Sequence, residues 1–358
     1  MSKQSLAVKY RPKTFDDVVE QDAIKIILLN QLDTKTFKHA YLFTGPAGCG
    51  KTTAARIFAN EINQGRGNPI EIDAASNNGV DNVRDIIDNA KRKSLDSEYK
   101  IYIVDECHML STGAWNAMLK LLEEPPVSTI FIMCTTDPQK IPATILSRVQ
   151  RYDFSKIATA KIVDRLKYIV NAEATEVCEA AGNDFAQDGS EDWMIPDATT
   201  EALEYIAKLS EGGMRDAITM LDKCLSLNLN VKLEDVAKTL GTVDYDIHFQ
   251  LMYALNMSQA ANAVEVIEKV YNDGKDIKQF IKQFMFFMVD VCKFKMFQHS
   301  FEYIGIPNID DYGQRMMDED SSECLAALEW LRQLNADIKW ESNAKMIIEA
   351  SIIIYCGR

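Results

Sequence analysis

Apolar residues follow two different periods along this chain of 358 residues. Up to about residue 157, short apolar runs suited to buried strands alternate with segments whose apolar residues recur every three or four positions. The strand-like runs are Tyr41–Phe43, Ile70–Asp73, Lys100–Val104 and Thr129–Cys134, with a fifth near Tyr152 and Phe154. This alternation predicts an α/β domain with a doubly wound parallel sheet, in which ligands bind at the carboxyl ends of the strands.

Beyond about Ser155 the strand pattern disappears and helical spacing continues. One segment, Tyr168 to Ala207, has acidic side chains but no Lys or Arg, and it predicts a helix end followed by an exposed acidic loop. Further on, a stripe of Phe, Met and Ile residues from Ile277 to Val291 is typical of a helix core or a helix–helix contact. We therefore predict an α/β domain over residues 1–157, a small helical domain over 158–242 and an all-helical domain over 243–358.

Composition is that of an ordinary soluble protein, with 47% hydrophobic and 26% charged residues. The first residues lack an apolar leader, and the most apolar run is too short to span a bilayer, so we predict a cytoplasmic protein without a membrane partner. The net charge of −14 falls almost wholly after residue 157, which leaves room for a positive face on the first domain. Eight scattered cysteines without a CxxC pair predict reduced, mostly packed thiols.

The segment after the first predicted strand matches the phosphate-loop pattern GxxxxGKT and leads into a predicted helix. Backbone N–H groups of such a loop surround phosphates, the lysine reaches the β and γ phosphates, and the Thr hydroxyl binds Mg²⁺. A glycine-rich turn that matches by chance is the alternative, and the flanking strand and helix argue against it. The predicted nucleotide ligands are Gly45, Pro46, Ala47, Gly48, Cys49, Gly50, Lys51, Thr52 and Thr53.

Two carboxylates, Asp105 and Glu106, follow the predicted strand over residues 100–104. At the carboxyl edge of the sheet they would face the phosphate loop. There the first can hold Mg²⁺, and the second can orient or deprotonate the attacking water of nucleotide hydrolysis. Thr136, at the end of the next strand, could sense the γ-phosphate or cap the following turn, and the two interpretations are compatible. His108 we interpret as a structural or hydrogen-bonding side chain.

Two arginines are further candidates. Arg148 follows the fourth strand, where it can hardly fold back onto its own phosphate loop, so we interpret it as a finger offered to a neighbouring subunit. A surface salt bridge is the alternative. Arg215, at a predicted helix start, could close the second domain onto the γ-phosphate, although its neighbour Asp216 offers an ordinary partner.

Together these motifs resemble the gamma/tau subunits of the bacterial DNA polymerase III clamp loader, a family of AAA+ ATPases. The resemblance covers residues 1–157 closely, continues through Gly213–Ala217 and thins over the last helical block. It is carried by Lys9-Tyr10-Arg11-Pro12, Gly45 to Thr52, Ile72 to Asp81, Val104 to Ser111, Leu122 to Pro126, Thr135 to Pro142 and Gly213 to Ala217.

The resemblance implies an AAA+ domain, a lid and an oligomerising collar over the three predicted ranges. It implies ATP and Mg²⁺ as ligands, with the nucleotide contacted by Tyr10, Arg11 and Pro12. It further implies that Thr52 and Asp105 bind the metal, and that the catalytic set is Lys51, Asp105, Glu106, Thr136 as sensor 1, Arg148 as a trans-acting finger and Arg215 as sensor 2. The implied activity is ATP hydrolysis within a DNA polymerase III-type holoenzyme, a DNA-directed DNA polymerase complex. The implied partners are a sliding clamp, delta-type and delta-prime-type subunits in a five-subunit ring, and primed DNA bound without sequence specificity.

Three departures limit this transfer. The family usually carries a four-cysteine zinc module after the phosphate-loop helix, whereas here only residues 64–69 fill that gap, so we predict no structural zinc. The family's Ser-Arg-Cys motif ends in Val149 here. The sequence ends at Arg358, after the predicted collar, which resembles a short gamma-type subunit.

Two alternatives stay open. A structural loader subunit of the delta-prime kind would lend a finger without hydrolysing ATP, but such subunits tend to have broken phosphate loops. An AAA+ DNA motor such as a branch-migration helicase would want a winged-helix DNA-binding domain at its C-terminus, and the Phe- and Met-rich helices after Asp244 look more like a collar.

Overall fold

The computed structural model describes residues 4–92, 96–181, 195–240, 245–296, 316, 321–341 and 343–357. The chain forms two compact units, one of residues 1–196 with 206–222 and the other of residues 197–205 with 223–358. The acidic loop expected around residues 182–190 and the boundary expected at 242–243 lie outside the described residues.

The first unit is built on a five-stranded parallel sheet. Its strands are β1 (Ala40–Thr44), β2 (Ile70–Asp73), β3 (Lys100–Asp105), β4 (Thr129–Thr135) and β5 (Gln150–Asp153). They lie in the order β2-β3-β4-β1-β5, and every pairing is parallel. The prediction of a parallel α/β sheet from the apolar runs is therefore confirmed.

Alternate residues of the strands pack on opposite faces of this sheet, as the period of two requires. Tyr41 and Phe43 of β1 face one cluster with the helix that follows the phosphate loop. Ala40 and Leu42 face the other, which contains Trp115. Because both faces are covered, the central strands are buried throughout, which explains their continuous apolar sequence.

Helices connect these strands and cover both faces. In the first unit they are α1 (Leu6–Lys9), α2 (Asp22–Thr34), α3 (Lys51–Ile62), α4 (Val80–Ala90), α5 (Thr112–Glu123), α6 (Ala143–Leu146) and α7 (Thr159–Ala181), with 3₁₀ turns at Cys107–Met109 and Pro138–Lys140. Two helices, α8 (Thr200–Leu209) and α9 (Met214–Leu227), have residues in both units. Helix α5 begins where Ser111 accepts a hydrogen bond from the N–H of Ala114 at 3.2 Å, which caps its first turn.

The second unit is mainly helical, as expected. Its helices are α10 (Leu233–Leu240), α11 (Tyr245–Asn256), α12 (Ala260–Asn272), α13 (Ile277–Met296), α14 (Ser321–Asp337) and α15 (Ala344–Cys356). The Phe and Met stripe of α13 forms the centre of one apolar core, as its spacing predicts. A pair of two-residue parallel strands, β6 (Asp197–Ala198) and β7 (Asn230–Val231), was not predicted, because two residues are too short to show a period.

A buried histidine lies in the core of this second unit. The imidazole of His248 stacks on the rings of Phe280, Phe284 and Phe287, with ring-centroid distances of 5.3, 5.9 and 5.4 Å. Only 3% of the surface of His248 is exposed. Burial, and secondarily the charge of Lys275, lower the pKa of His248 to about 3.

None of the helices in the described ranges is long and apolar enough to cross a membrane.

Candidate nucleotide site

The phosphate loop joins the end of β1 to the start of α3, as its sequence predicts. Gly45, Gly48 and Gly50 have φ values of 145°, 72° and 101°, which residues with a Cβ atom rarely adopt. The loop can therefore turn its N–H groups inward ahead of the N-terminus of α3. Backbone N–H groups and a helix N-terminus together form an anion-binding cradle.

A second segment of the first unit packs directly on this loop. A Cβ at Gly48 would lie 2.9 Å from the Cα of Gly213, and the N–H of Met214 donates to the carbonyl of Gly48 at 3.0 Å. The start of helix α9, with Arg215, is thus fixed beside the phosphate loop. Arg215 contributes to the wall of the same cavity. The sequence placed Arg215 at a helix start, and the structure adds its proximity to the loop.

Lys51 is almost fully buried at the first position of α3. Its ammonium group donates to the carbonyl oxygens of Gly45 at 2.8 Å and Pro46 at 2.7 Å. The lysine therefore bridges the two ends of the loop. A phosphate in the cradle would replace these two neutral acceptors with charged ones, which form stronger hydrogen bonds to an ammonium group.

The hydroxyl of Thr52 and the carboxylate of Asp105 are in direct contact. Thr52 Oγ1 donates to Asp105 Oδ2 at 2.8 Å, and Asp105 Oδ1 accepts the N–H of Glu106 at 3.0 Å. These contacts join the first turn of α3 to the end of β3, so Asp105 lies on the side of the sheet that carries the phosphate loop. A hydroxyl and a carboxylate beside a phosphate cradle are oxygen ligands of the kind that Mg²⁺ prefers, so the residues present fit this ion.

Glu106 is held on the side of strand β4. Its Oε2 accepts hydrogen bonds from Thr136 Oγ1 at 3.0 Å and from the Thr136 N–H at 3.4 Å. His108 Nδ1 lies 3.3 Å from the same oxygen and 3.0 Å from Thr135 Oγ1. Glu106 adopts a left-handed backbone conformation with φ 45°, which is uncommon for a residue with a side chain. Thr136, the predicted sensor, therefore contacts the predicted catalytic carboxylate directly.

A cavity of about 330 Å³ extends from the phosphate loop. Among the predicted nucleotide ligands Gly45 and Pro46 do not line it, and among the predicted catalytic residues Thr136 and Arg148 do not. It is lined by predicted residues Tyr10, Arg11, Pro12, Ala47, Gly48, Cys49, Gly50, Lys51, Thr52, Thr53, Asp105, Glu106 and Arg215. Val18, Val19, Ile157, Met214 and Ile218 give this cavity an apolar wall, which suits the flat faces of a nucleotide base. None of these five residues was among the predicted nucleotide ligands.

The N-terminal segment that contains Lys9 and Tyr10 forms hydrogen bonds to helix α7. The hydroxyl of Tyr10 donates to Glu173 Oε1 at 2.9 Å, and the ammonium of Lys9 lies 2.5 Å from the same oxygen. Arg165 Nη2 donates to the carbonyl of Tyr10 at 3.1 Å, and its guanidinium lies over the ring of Tyr168. Burial and the hydrogen bond to Glu173 raise the pKa of Tyr10 to about 12. One wall of the cavity is therefore held by the helix that follows the sheet.

Glu173 has a role that the sequence analysis did not assign. It lies in the helical part of the acidic segment, is 6% exposed and bonds two residues of the N-terminal segment. The sequence offered one indication of this contact, the opposite charges of the acidic segment and of the early Lys9-Tyr10-Arg11. Opposite charge alone does not identify which acidic residue binds which basic one.

Arg148 lies at the opposite edge of the sheet. It borders a second, open cavity with Lys38, His39 and Ala40, which precede or begin β1. The phosphate loop, in contrast, follows the end of β1. Arg148 also forms an ion pair with Glu123 at 2.8 Å. Both sequence interpretations, a finger remote from its own loop and a surface salt bridge, are thus compatible with its position.

The gap in which related proteins were expected to carry a zinc module is short. Residues 64–69 turn tightly, with positive φ at Gln64, Gly65 and Gly67. Within the part of the chain that the structure describes, no group of three or more His, Cys, Asp or Glu side chains is arranged to hold a metal ion.

The fold and the site define a class. A parallel sheet in the order β2-β3-β4-β1-β5, with a phosphate loop after β1 and an Asp-Glu pair after β3, is that of an AAA+ P-loop nucleotide-binding protein. Solved structures agree on the fold. A RuvB variant from Thermotoga maritima superposes with a TM-score of 0.50 and 19% identity, over 69% of this chain and 79% of that one.

Sequence comparison narrows the class to a family. Residues 68–158 match the family described as DNA polymerase III, delta subunit, and residues 231–330 match DNA polymerase III subunits gamma and tau domain III. The tau subunit of DNA polymerase III from Bacillus subtilis is 36% identical over 99% of this chain and 64% of its own length. The tau subunit from Escherichia coli is 35% identical over 76% of this chain and 43% of its own length. This chain belongs to the gamma and tau family of DNA polymerase III subunits, and it spans less than two-thirds of the length of these relatives.

Proposed function

We propose that this chain is an ATPase subunit of a DNA polymerase sliding-clamp loader, which couples ATP binding and hydrolysis to opening the clamp and placing it on primed DNA. The observation that carries the proposal is the bonded set of Lys51, Thr52, Asp105 and Glu106 around one cavity. Lys51 bonds the phosphate loop, Thr52 bonds Asp105, and Asp105 bonds the N–H of Glu106, so the phosphate, metal and base groups of ATP hydrolysis lie in one site. Family membership supports the coupling to a clamp and to DNA.

Each residue of the site has a proposed role. Lys51 and the loop N–H groups bind the β and γ phosphates, while Arg215 approaches from the start of α9. Thr52 and Asp105 would hold Mg²⁺, which neutralises charge on the phosphates when it is bound. Glu106 orients and deprotonates the attacking water, and Thr136 holds that carboxylate in place.

Arg148 is proposed to act on the nucleotide of a neighbouring subunit. An arginine that reaches the γ-phosphate stabilises transition-state charge and is worth roughly 10³ to 10⁵ in rate. Because Arg148 borders the amino edge of its own sheet, the nucleotide that it serves belongs to another subunit. This arrangement supports assembly into a ring with delta-type and delta-prime-type subunits, five in all, in the cytoplasm.

The experiment is steady-state ATP hydrolysis by the purified chain with its partner subunits, with and without a sliding clamp and primed DNA. Lys51→Ala should abolish nucleotide binding and turnover. Arg148→Ala should abolish stimulated turnover while ATP still binds, whereas Arg151→Ala, which removes an exposed arginine three positions away, should retain turnover. Turnover that ignores clamp and DNA would refute the clamp-loader function.

Two other functions remain as outcomes of this experiment. A non-hydrolysing structural subunit would show no turnover under any condition, and the intact contact between Thr52 and Asp105 argues against it. A branch-migration helicase would unwind branched DNA without a clamp. The superposition on RuvB concerns the fold alone and does not favour that activity.

A further inference from the structure

The Arg148 side chain is held by three hydrogen bonds within its own chain. Nη1 donates to the carbonyl of Thr144 at 2.7 Å and to Ser147 Oγ at 3.1 Å. Nη2 donates to Glu123 Oε1 at 2.8 Å. An exposed arginine would otherwise sample many rotamers, so these contacts restrict its direction.

These contacts involve Nη1 twice and Nη2 once. The guanidinium has five N–H donors, and three of them are used. Among the described residues, the Nε–H and the second Nη2–H have no acceptor. Nε and Nη2 lie on the same edge of the guanidinium, and with that edge arginine can bind two oxygens of a phosphate at once.

We propose that Glu123 is a positioning residue, which orients Arg148 so that its Nε and Nη2 edge faces the γ-phosphate of a neighbouring subunit. This inference rests on the proposed trans role of Arg148. Glu123 is well placed for the task because it is the last residue of α5, whose preceding residues Leu121 and Leu122 are buried. Its backbone is therefore fixed relative to the sheet, while its carboxylate stays at the surface.

The opposite role, a latch that withholds the finger, fits the contacts less well. A latch would have to cover the phosphate-binding edge, whereas Glu123 takes a single Nη2 proton. The ion pair is also exposed, with side-chain exposures of 34% for Arg148 and 50% for Glu123. Exposed pairs are weak because water screens them, so Glu123 would orient Arg148 only together with the acceptors on Thr144 and Ser147, and it would not withhold the guanidinium from a phosphate with two negative charges.

The test compares four variants with the parent and with Arg148→Ala in the ATPase assay with partner subunits, sliding clamp and primed DNA. Glu123→Ala removes the acceptor and should lower kcat about tenfold with little change in the KM for ATP, because orientation is lost while the nucleotide site is intact. Glu123→Gln keeps an acceptor oxygen and should stay within about threefold of the parent. Glu124→Ala removes the adjacent exposed acid and serves as the matched control, with kcat unchanged.

The fourth variant combines Glu123→Ala with Arg148→Ala. If Glu123 acts through Arg148, the double variant should turn over no more slowly than Arg148→Ala alone. A raised kcat in Glu123→Ala would establish the latch instead, and an unchanged kcat would remove the positioning role. If Arg148→Ala itself keeps full turnover, the proposed trans role of Arg148 is wrong, and not only the positioning role of Glu123. Thermal unfolding of each variant identifies any loss of turnover caused by misfolding, in which case Glu123→Gln alone decides.

Discussion

The buried imidazole of His248 should make the stability of the second unit fall as the pH falls below neutrality. Its pKa is about 3 in the folded chain against 6.5 for an ordinary histidine, because the surrounding aromatic core disfavours the charged form. The unfolded chain therefore binds a proton at a higher pH than the folded chain. Stability is fully present above about pH 6.5 and is lost progressively as the pH falls toward 3.

The size of this effect follows from the two pKa values. Between about pH 7.5 and pH 5, proton linkage with pKa values of 6.5 and 3 lowers the free energy of unfolding by about 2 kcal/mol. Carboxylates also titrate toward the lower end of this range, so the parent protein alone cannot isolate the histidine. His248→Phe removes the titrating group and keeps an aromatic ring in the stack of Phe280, Phe284 and Phe287.

Urea unfolding followed by circular dichroism at both pH values gives the required comparison. The loss of stability between the two pH values should be about 2 kcal/mol smaller in His248→Phe than in the parent. Any cost of fitting the larger ring appears at both pH values and cancels in this difference. An equal loss in both proteins, or an NMR titration of the His248 ring in the folded chain near pH 6.5, would refute the reasoning.

Three further predictions concern the first unit. Thr52→Val preserves the shape of the side chain but removes the hydroxyl at the metal position. Mg²⁺-dependent ATP turnover should therefore fall by about 100-fold or more, while nucleotide binding without Mg²⁺ changes little. A similar loss in turnover and in Mg²⁺-free binding would contradict this role. Tyr10→Phe removes the hydrogen bond to Glu173 and should weaken binding of a fluorescent ATP analogue about three- to tenfold, and unchanged affinity would show that this contact does not shape the cavity. A maleimide should modify the exposed Cys178 before the buried Cys49, whose pKa is raised by burial, and mass mapping that finds Cys49 modified first would contradict the burial.

The sheet and the phosphate cradle were predictable because their sequence signals are local. A strand buried on both faces needs a continuous apolar run, and a loop that turns through positive φ needs glycine at particular positions, as at Gly45, Gly48 and Gly50. The expectation that Asp105 faces the phosphate loop followed from one further rule, that parallel strands bring their carboxyl ends to the same edge. Each of these inferences uses residues within one loop or at the end of one strand.

The rest of the cavity depends on contacts that sequence spacing does not encode. Val18, Ile157 and Ile218 come from three distant segments, and each taken alone is an ordinary apolar residue. Glu173 belongs to a run of acidic residues, and only its burial against Lys9 and Tyr10 distinguishes it from its solvated neighbours. Such residues become visible only after the segments have packed, because their role lies in which partners they meet.

The polarity of the sheet explains why one chain would hold both a nucleotide site and a finger for another site. Strand β1 runs for five residues, from Ala40 at the amino edge to Thr44, directly before the phosphate loop. Its neighbour β5 is parallel and pairs Gln150 with Tyr41, which fixes Arg148 two residues before the amino edge. At about 3.3 Å per residue, the strand alone separates the two edges by roughly 15 Å. No arginine rotamer spans that distance to its own γ-phosphate, so hydrolysis assisted by Arg148 requires a neighbour that places its phosphate loop against the amino edge. An isolated subunit would then bind ATP yet hydrolyse it slowly, and turnover would report correct assembly.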